Sequence, residues 1–103
     1  MSDVQHITID DDGRLLAEAD VRATDQAVQA ELWVEAGHLP TGTRSHLVDA
    51  VLDSSTAEPG TPLHLTLPAG DAEMLQRLGE RCTTVTARAA GATCQVDTRT
   101  PAG

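Results

Sequence analysis

Four kinds of residue in this chain of 103 have types and spacings that could do chemistry. The first is a repeated unit, His6-Ile7-Thr8 and His64-Leu65-Thr66. Residues i and i+2 of a strand face the same way, so each unit sets an imidazole beside a hydroxyl. Two such units on neighbouring strands would bring two imidazoles and two hydroxyls onto one face, groups able to move protons. The second is Pro40-Thr41-Gly42-Thr43-Arg44-Ser45, a glycine-containing loop running into a helix. Backbone N–H groups and the helix dipole converge there, which makes Gly42, Thr43, Arg44 and Ser45 an anion site; the plain alternative is a turn and a cap. The third is Trp33, the only aromatic residue, on a wet strand face with Glu31, Glu35 and Leu16. A large apolar group there marks an interaction surface, unless a loop or the tail covers it.

The fourth is the pair Cys82 and Cys94, which fit neither a CxxC motif nor a zinc spacing and read as reduced core residues. His38 and His46 straddle a helix start without an Asp or Cys partner set, so no metal site is expected. Ser54-Ser55 has no nearby His and no Gly-x-Ser-x-Gly elbow. No catalytic residue is assigned.

The elements that must position these groups follow from hydrophobic period and turn chemistry. Val4–Ile9 alternates as a strand, with Ile7 and Ile9 on one face and His6 and Thr8 on the other. Asp10-Asp11-Asp12-Gly13 is a hairpin turn. Arg14–Ala23 turns Leu15, Ala17, Ala19 and Val21 inward. Ala27–Ala36 sets Val28, Ala30, Leu32 and Val34 against Gln29, Glu31, Trp33 and Glu35, completing a meander with one wet face. Thr43 caps a helix to Asp53, with a buried stripe of Leu47, Val48, Ala50, Val51 and Leu52. After a loop at Ser54–Pro62, Leu63–Leu67 alternates again. Asp71 caps a second helix, Ala72–Arg81, with Met74, Leu75 and Leu78 inward. Thr83–Ala89 and Ala92–Thr98 form a closing hairpin.

The fold class is therefore α/β (α+β), a two-layer mixed six-stranded sheet ordered βββ-α-β-α-ββ, with both helices on one face. Each helix is expected to join two strands paired in parallel through a right-handed crossover. Residues 1–98 form a single domain, and 99–103 are expected to be a disordered tail. Leu39-Pro40-Thr41-Gly42-Thr43 and Leu67-Pro68-Ala69-Gly70-Asp71 repeat a Leu-Pro-x-Gly-cap pattern between strand and helix.

Composition excludes some functions. Acids outnumber bases sixteen to seven, for a net charge of −9, so neither nucleic acid nor an anionic membrane is an expected partner. Lys, Asn, Phe and Tyr, all with AT-rich codons, are absent, as in the high-GC genome of an actinobacterium. The start Met1-Ser2-Asp3-Val4 has no basic region followed by an apolar one, and a cytoplasmic location is expected.

The element order, the loop at Leu39–Arg44, the helix residues Leu47-Val48-Asp49-Ala50 and the later strand–helix unit ending Leu78-Gly79 resemble the GNAT acetyltransferase superfamily. The resemblance spans about Val4–Asp97 and leaves out that family's first strand and the two helices after it. It implies an acyl-CoA site, with the pyrophosphate cradled at Gly42, Thr43, Arg44 and Ser45, in a cleft where the third and fourth strands part beyond Val34. Of the family's Gln/Arg-x-x-Gly-x-Gly/Ala motif only Gly42 is matched. Leu39 stands at the first polar position and Arg44 at a small one, and the Tyr used as general acid has no counterpart. The His-x-Thr units resemble the two-histidine phosphoesterases, which are longer proteins.

On this reading the chain is first a non-catalytic binding module with an unknown protein partner, possible homodimer formation through the face around Trp33, and no cofactor. The second reading is a truncated GNAT-like acyl-CoA-binding domain or N-acetyltransferase holding acetyl-CoA or CoA, with no acetyl transfer and weak CoA binding expected. The third is a two-histidine phosphoesterase.

Overall fold

A computed structural model describes residues 3–37, 39–54 and 58–101. A hairpin opens the fold: β1 (Asp3–Asp11) and β2 (Arg14–Ala23) are joined at Asp12-Gly13. Both turn residues take positive φ, 52° and 78°, the pair of angles that matches the twist of a two-residue hairpin. β3 (Val28–Val34) continues the meander, α1 (Thr43–Ser54) crosses to β4 (Pro62–Pro68), and α2 (Ala72–Arg81) leads to the hairpin β5 (Thr86–Ala90) and β6 (Thr93–Arg99).

The sheet order is β1-β2-β3-β4-β6-β5, with β3 and β4 parallel and every other neighbouring pair antiparallel. This corrects the expectation of two parallel pairings. β5 does run parallel to β4, since both oppose β6, but β6 lies between them. Burial explains the choice. β6 buries Val96 and Thr98, whereas all five residues of β5 are exposed, so the strand with core-facing side chains takes the inner place. A short exposed strand suits the edge.

Both crossovers advance the same way along the sheet, and right-handed connections then set both helices on one face. One contiguous core results. Ala17, Ala19, Val21, Val28, Ala30, Leu32, Leu63, Leu65, Leu67 and Val96 of the sheet meet Leu47, Val48, Val51, Leu52, Met74 and Leu78 of the helices. The period of two in the strands puts His6, Glu18, Asp20, Gln29, Glu31, Trp33, His64, Thr66, Gln95 and Asp97 on the opposite, uncovered face.

Two details depart from expectation. β6 includes Arg99, and Thr100 is buried, exchanging backbone hydrogen bonds with Gly60 and Thr61. The segment expected as a tail from residue 99 therefore begins as part of the fold, because Thr100 satisfies that loop's polar groups; residues 102–103 lie outside the described residues. Leu16 is 5% exposed and not on an open contact surface. The β1–β2 register slips between Ile9 and Asp10, leaving Leu16 as the extra residue of a bulge.

The helices are tied together by charge. Asp49 accepts from Arg77 Nε at 2.8 Å, Arg77 Nη2 at 3.0 Å and Arg81 Nη1 at 3.0 Å, and Arg81 also reaches Asp53. The Arg77 hydrogen bond, aided by Arg81, holds the Asp49 carboxyl below its ordinary 3.8. A depressed carboxylate contributes stability above its unfolded pKa and loses it as pH falls through the folded value. Asp49→Asn is expected to cost about 1–2 kcal/mol near neutral pH, in the range of partly exposed charged hydrogen bonds. Urea unfolding at pH 7 and below pH 3.8 checks this, the gap between variant and parent narrowing in acid.

Candidate functional site

The parallel pairing of β3 with β4 lasts from Val28↔Leu63 to Glu31↔Thr66. Both strands continue past it, β3 to Val34 and β4 to Pro68, without pairing to each other. The sheet is thus split at the carboxyl ends of its two parallel strands, the place where open α/β sheets hold ligands. The split begins earlier than the sequence reading put it, three residues before Val34.

Both helices start at this split. Each is preceded by the same turn: Thr43 N donates to Pro40 O at 3.2 Å and Asp71 N to Pro68 O at 3.3 Å, with Gly42 at φ 87° and Gly70 at φ 77°. A type II turn needs positive φ at its third residue, which explains both Leu-Pro-x-Gly segments. After the turns the two starts differ. Asp71 is a true cap, its Oδ1 accepting from Met74 N at 3.1 Å. Thr43 is not: it lies within α1, and its hydroxyl donates to Pro40 O at 2.7 Å.

The start of α1 is instead satisfied from α2. Glu73 Oε2 accepts from Ser45 N at 2.9 Å and from Ser45 Oγ at 3.0 Å. Arg44 Nε donates to Asp71 Oδ2 at 2.8 Å, so the Asp71 carboxylate bridges a cap and a guanidinium. Arg44, Asp71 and Glu73, with Val34, Pro68 and Gly70, line a cleft of about 340 Å³. Of the four residues expected to form an anion site, Ser45 does bind an anionic oxygen, supplied by the protein itself. Sequence reasoning missed Glu73, since only the crossover brings it to α1.

The uncovered face carries the second concentration of polar groups. One row across the strands runs His6, Asp20, Glu31, Thr66, Gln95 and Arg88; the next runs Arg22, Gln29, His64, Asp97 and Thr86. Gln29, Glu31, His64, Thr66, Arg88 and Asp97 border a hollow of about 520 Å³ that abuts the end of the parallel pairing. His64 Nδ1 and Asp97 Oδ1 are 2.8 Å apart there, and Arg88 donates to Gln95. The two His-x-Thr units are not neighbours. β2 and β3 separate β1 from β4, which puts the units about 14 Å apart at ordinary strand spacing. Each imidazole meets carboxylates instead, His6 with Asp20 at 2.5 Å and Glu18 at 3.2 Å. The two-histidine phosphoesterase arrangement is not formed.

Trp33 is 42% exposed, with Glu31 and Glu35 also exposed. Cys82 is buried at the end of α2, Cys94 is half-buried on β6, and both are free thiols. His46 is exposed on α1, whereas His38 and Ser55 lie outside the described residues. Among the described residues no group of His, Cys, Asp and Glu could hold a metal ion, and no helix is long and apolar enough to cross a membrane.

No protein-family model and no curated protein matches the chain. Solved structures share its fold. One is yncA of Salmonella typhimurium, described as a putative acetyltransferase and solved with its cofactor acetyl-CoA. It is 10% identical, with a TM-score of 0.64, over 97% of this chain and 65% of that one. A second, so described from Sphaerobacter thermophilus, is 10% identical with a TM-score of 0.64, over 98% and 67%. A third, from Acinetobacter baylyi, is 13% identical with a TM-score of 0.54, over 86% and 58%. The fold is GNAT-like, and the chain spans just under two thirds of the Salmonella protein. The expectation of no cofactor is thereby corrected: a protein of this fold is solved with acetyl-CoA, which points to an acyl-CoA.

The open face also sets a measurable titration. The hydrogen bond to Asp20, reinforced by Glu18, raises the His6 pKa above 6.5. A raised histidine contributes stability below its unfolded pKa and loses it as pH rises through the folded value. An NMR titration should place His6 above 6.5, and Asp20→Asn should return it toward 6.5.

Proposed function

We propose that this chain is a GNAT-like acyl-CoA-binding domain, with the nucleotide end at the start of α1 and the acyl end reaching the uncovered face between β3 and β4. The observation that carries the reading is the split itself. Two strands stop pairing while still extended, and two helix starts flank the gap. A linear ligand can enter such a gap by its narrow end and leave its charged end at the helix.

The donors at α1 suit a phosphate oxygen. Ser45 N–H and Oγ already converge on one carboxylate oxygen, so the position they serve is anion-sized. Among the described residues nothing lies within 4 Å of where a Gly42 side chain would stand, so a ligand can approach the backbone there. Glu73 must swing aside, and Arg44 lies beside the same cleft. An acyl-CoA, when bound, supplies an activated thioester. The residues of this chain orient it, and Glu31 and Thr66 are the groups that meet its acyl end on the uncovered face. The fold shared with the Salmonella acetyltransferase supports the same reading. No comparison supports a non-catalytic interaction module in its place.

Acetyl-CoA titrated into the labelled domain is expected to shift the amides of residues 41–46 at sub-millimolar concentration and to raise Tm, since a ligand at 100 times its Kd adds about 2.7 kcal/mol. Gly42→Ala should weaken binding at least tenfold by placing a methyl where the phosphate approaches. Gly60→Ala is the control, because Gly60 has nearly the same φ, 86°, and so the same backbone strain. Equal affinity of both variants would overturn the placement, and no binding by the parent would overturn the function.

A further inference from the structure

We infer that Glu73 is a tethered competitor for the anion position at the start of α1, one it yields only to a ligand that brings a second anionic contact. This rests on the acyl-CoA reading above and adds to it the residue that decides which ligands the site admits.

The contact has the form of an anion held by its donors. One oxygen of Glu73, Oε2, takes both donors of Ser45, N at 2.9 Å and Oγ at 3.0 Å, from 28 residues away in the sequence. A capping carboxylate ordinarily comes from the helix's own cap or first turn. The first turn of α1 holds no acid, and the Thr43 hydroxyl is turned back to Pro40 O. α1 therefore has no anion of its own. α2 is already capped by Asp71, so its own start does not need Glu73 as a cap.

Two features let the contact be exchanged. Glu73 is exposed, so its release breaks two hydrogen bonds and leaves no cavity. More donors also converge here than Glu73 uses. Arg44 gives Asp71 only its Nε, and among the described residues neither its Nη groups nor its backbone N–H has a protein partner. Asp71 stays in place, because one oxygen caps α2 and the other holds Arg44. Arg44, Asp71 and Glu73 all line the same cleft.

These donors decide selectivity. A carboxylate held beside its donors by a short tether acts at an effective concentration on the order of millimolar. A free anion that meets only the Ser45 pair exchanges like for like and gives up its own freedom as well. Two linked phosphates take the Ser45 pair with one group and the Arg44 guanidinium with the other, and guanidinium–phosphate contacts are among the stronger charged hydrogen bonds. The displaced Glu73 and the fixed Asp71 oppose any anion that makes just one of these contacts. The apparent affinity of every ligand is lowered by the fraction of molecules in which Glu73 stands aside.

The test compares the parent with Glu73→Ala and Glu73→Gln, by calorimetry with acetyl-CoA, pyrophosphate and orthophosphate and by thermal unfolding without ligand. Glu73→Ala should bind acetyl-CoA more tightly, by about fivefold or more, while its own Tm falls by about 4–8 °C, the usual worth of a lost cap. Glu73→Gln, which keeps an acceptor without the charge, should fall between. Orthophosphate at about 10 mM should shift the Ser45 amide in Glu73→Ala and leave it unmoved in the parent. A residue that only braces the two helices would lower Tm and affinity together, so opposite signs are the signature. Acetyl-CoA affinity that Glu73→Ala leaves unchanged or weakens would overturn this inference and leave the acyl-CoA reading standing. So would a Ser45 amide signal that is the same in ligand-free parent and Glu73→Ala. No acetyl-CoA binding by either would overturn both.

Discussion

Four rungs of parallel pairing between β3 and β4, and their end at Glu31↔Thr66, set the rest of this structure. A parallel pair needs a crossover, so α1 must leave the top of β3 and return to the bottom of β4. The next crossover begins at the top of β4 for the same reason. Two helix N-termini are therefore delivered to the one place where the sheet is open. Neither position is encoded by the residues of that site alone; it follows from strand direction and handedness.

Two positive helix ends side by side, in a chain of net charge −9, draw in carboxylates. Asp71 caps its own helix and holds Arg44, and Glu73 caps the neighbouring one. Farther along the same helix pair Asp49 gathers Arg77 and Arg81. The helix layer is thus fastened by acid–base contacts at both ends over a shared apolar seam. Only the contact at the split stands where a ligand could replace it. Glu73 keeps the α1 donors satisfied, and the proposed phosphate would exchange one anion for another.

Much of the framework was legible in the residues. Alternation identified the buried faces of β3 and β4, and Asp71, Met74, Leu75 and Leu78 bounded α2 at Ala72–Arg81 as observed. Gly42 and Gly70 marked turns that do take positive φ. Partnership was not legible. Period two tells which side of β4 faces the core but not whether β5 or β6 lies beside it, so β6 was misplaced, and the pairing of His64 with Asp97 went unseen with it. The bulge at Leu16 hid in the same way, since one extra residue inverts the facing of what precedes it. Glu73 reads locally as a first-turn acid of α2, and only the crossover shows it to be a cap for α1.

The central claim is that the split between β3 and β4 receives an acyl-CoA. Amide hydrogen exchange with and without saturating acetyl-CoA tests it at the residues concerned. Protection should rise at residues 32–34, where β3 has lost its parallel partner, and at residues 42–45, where α1 begins. Protection confined to other segments, or unchanged exchange at both, would contradict it.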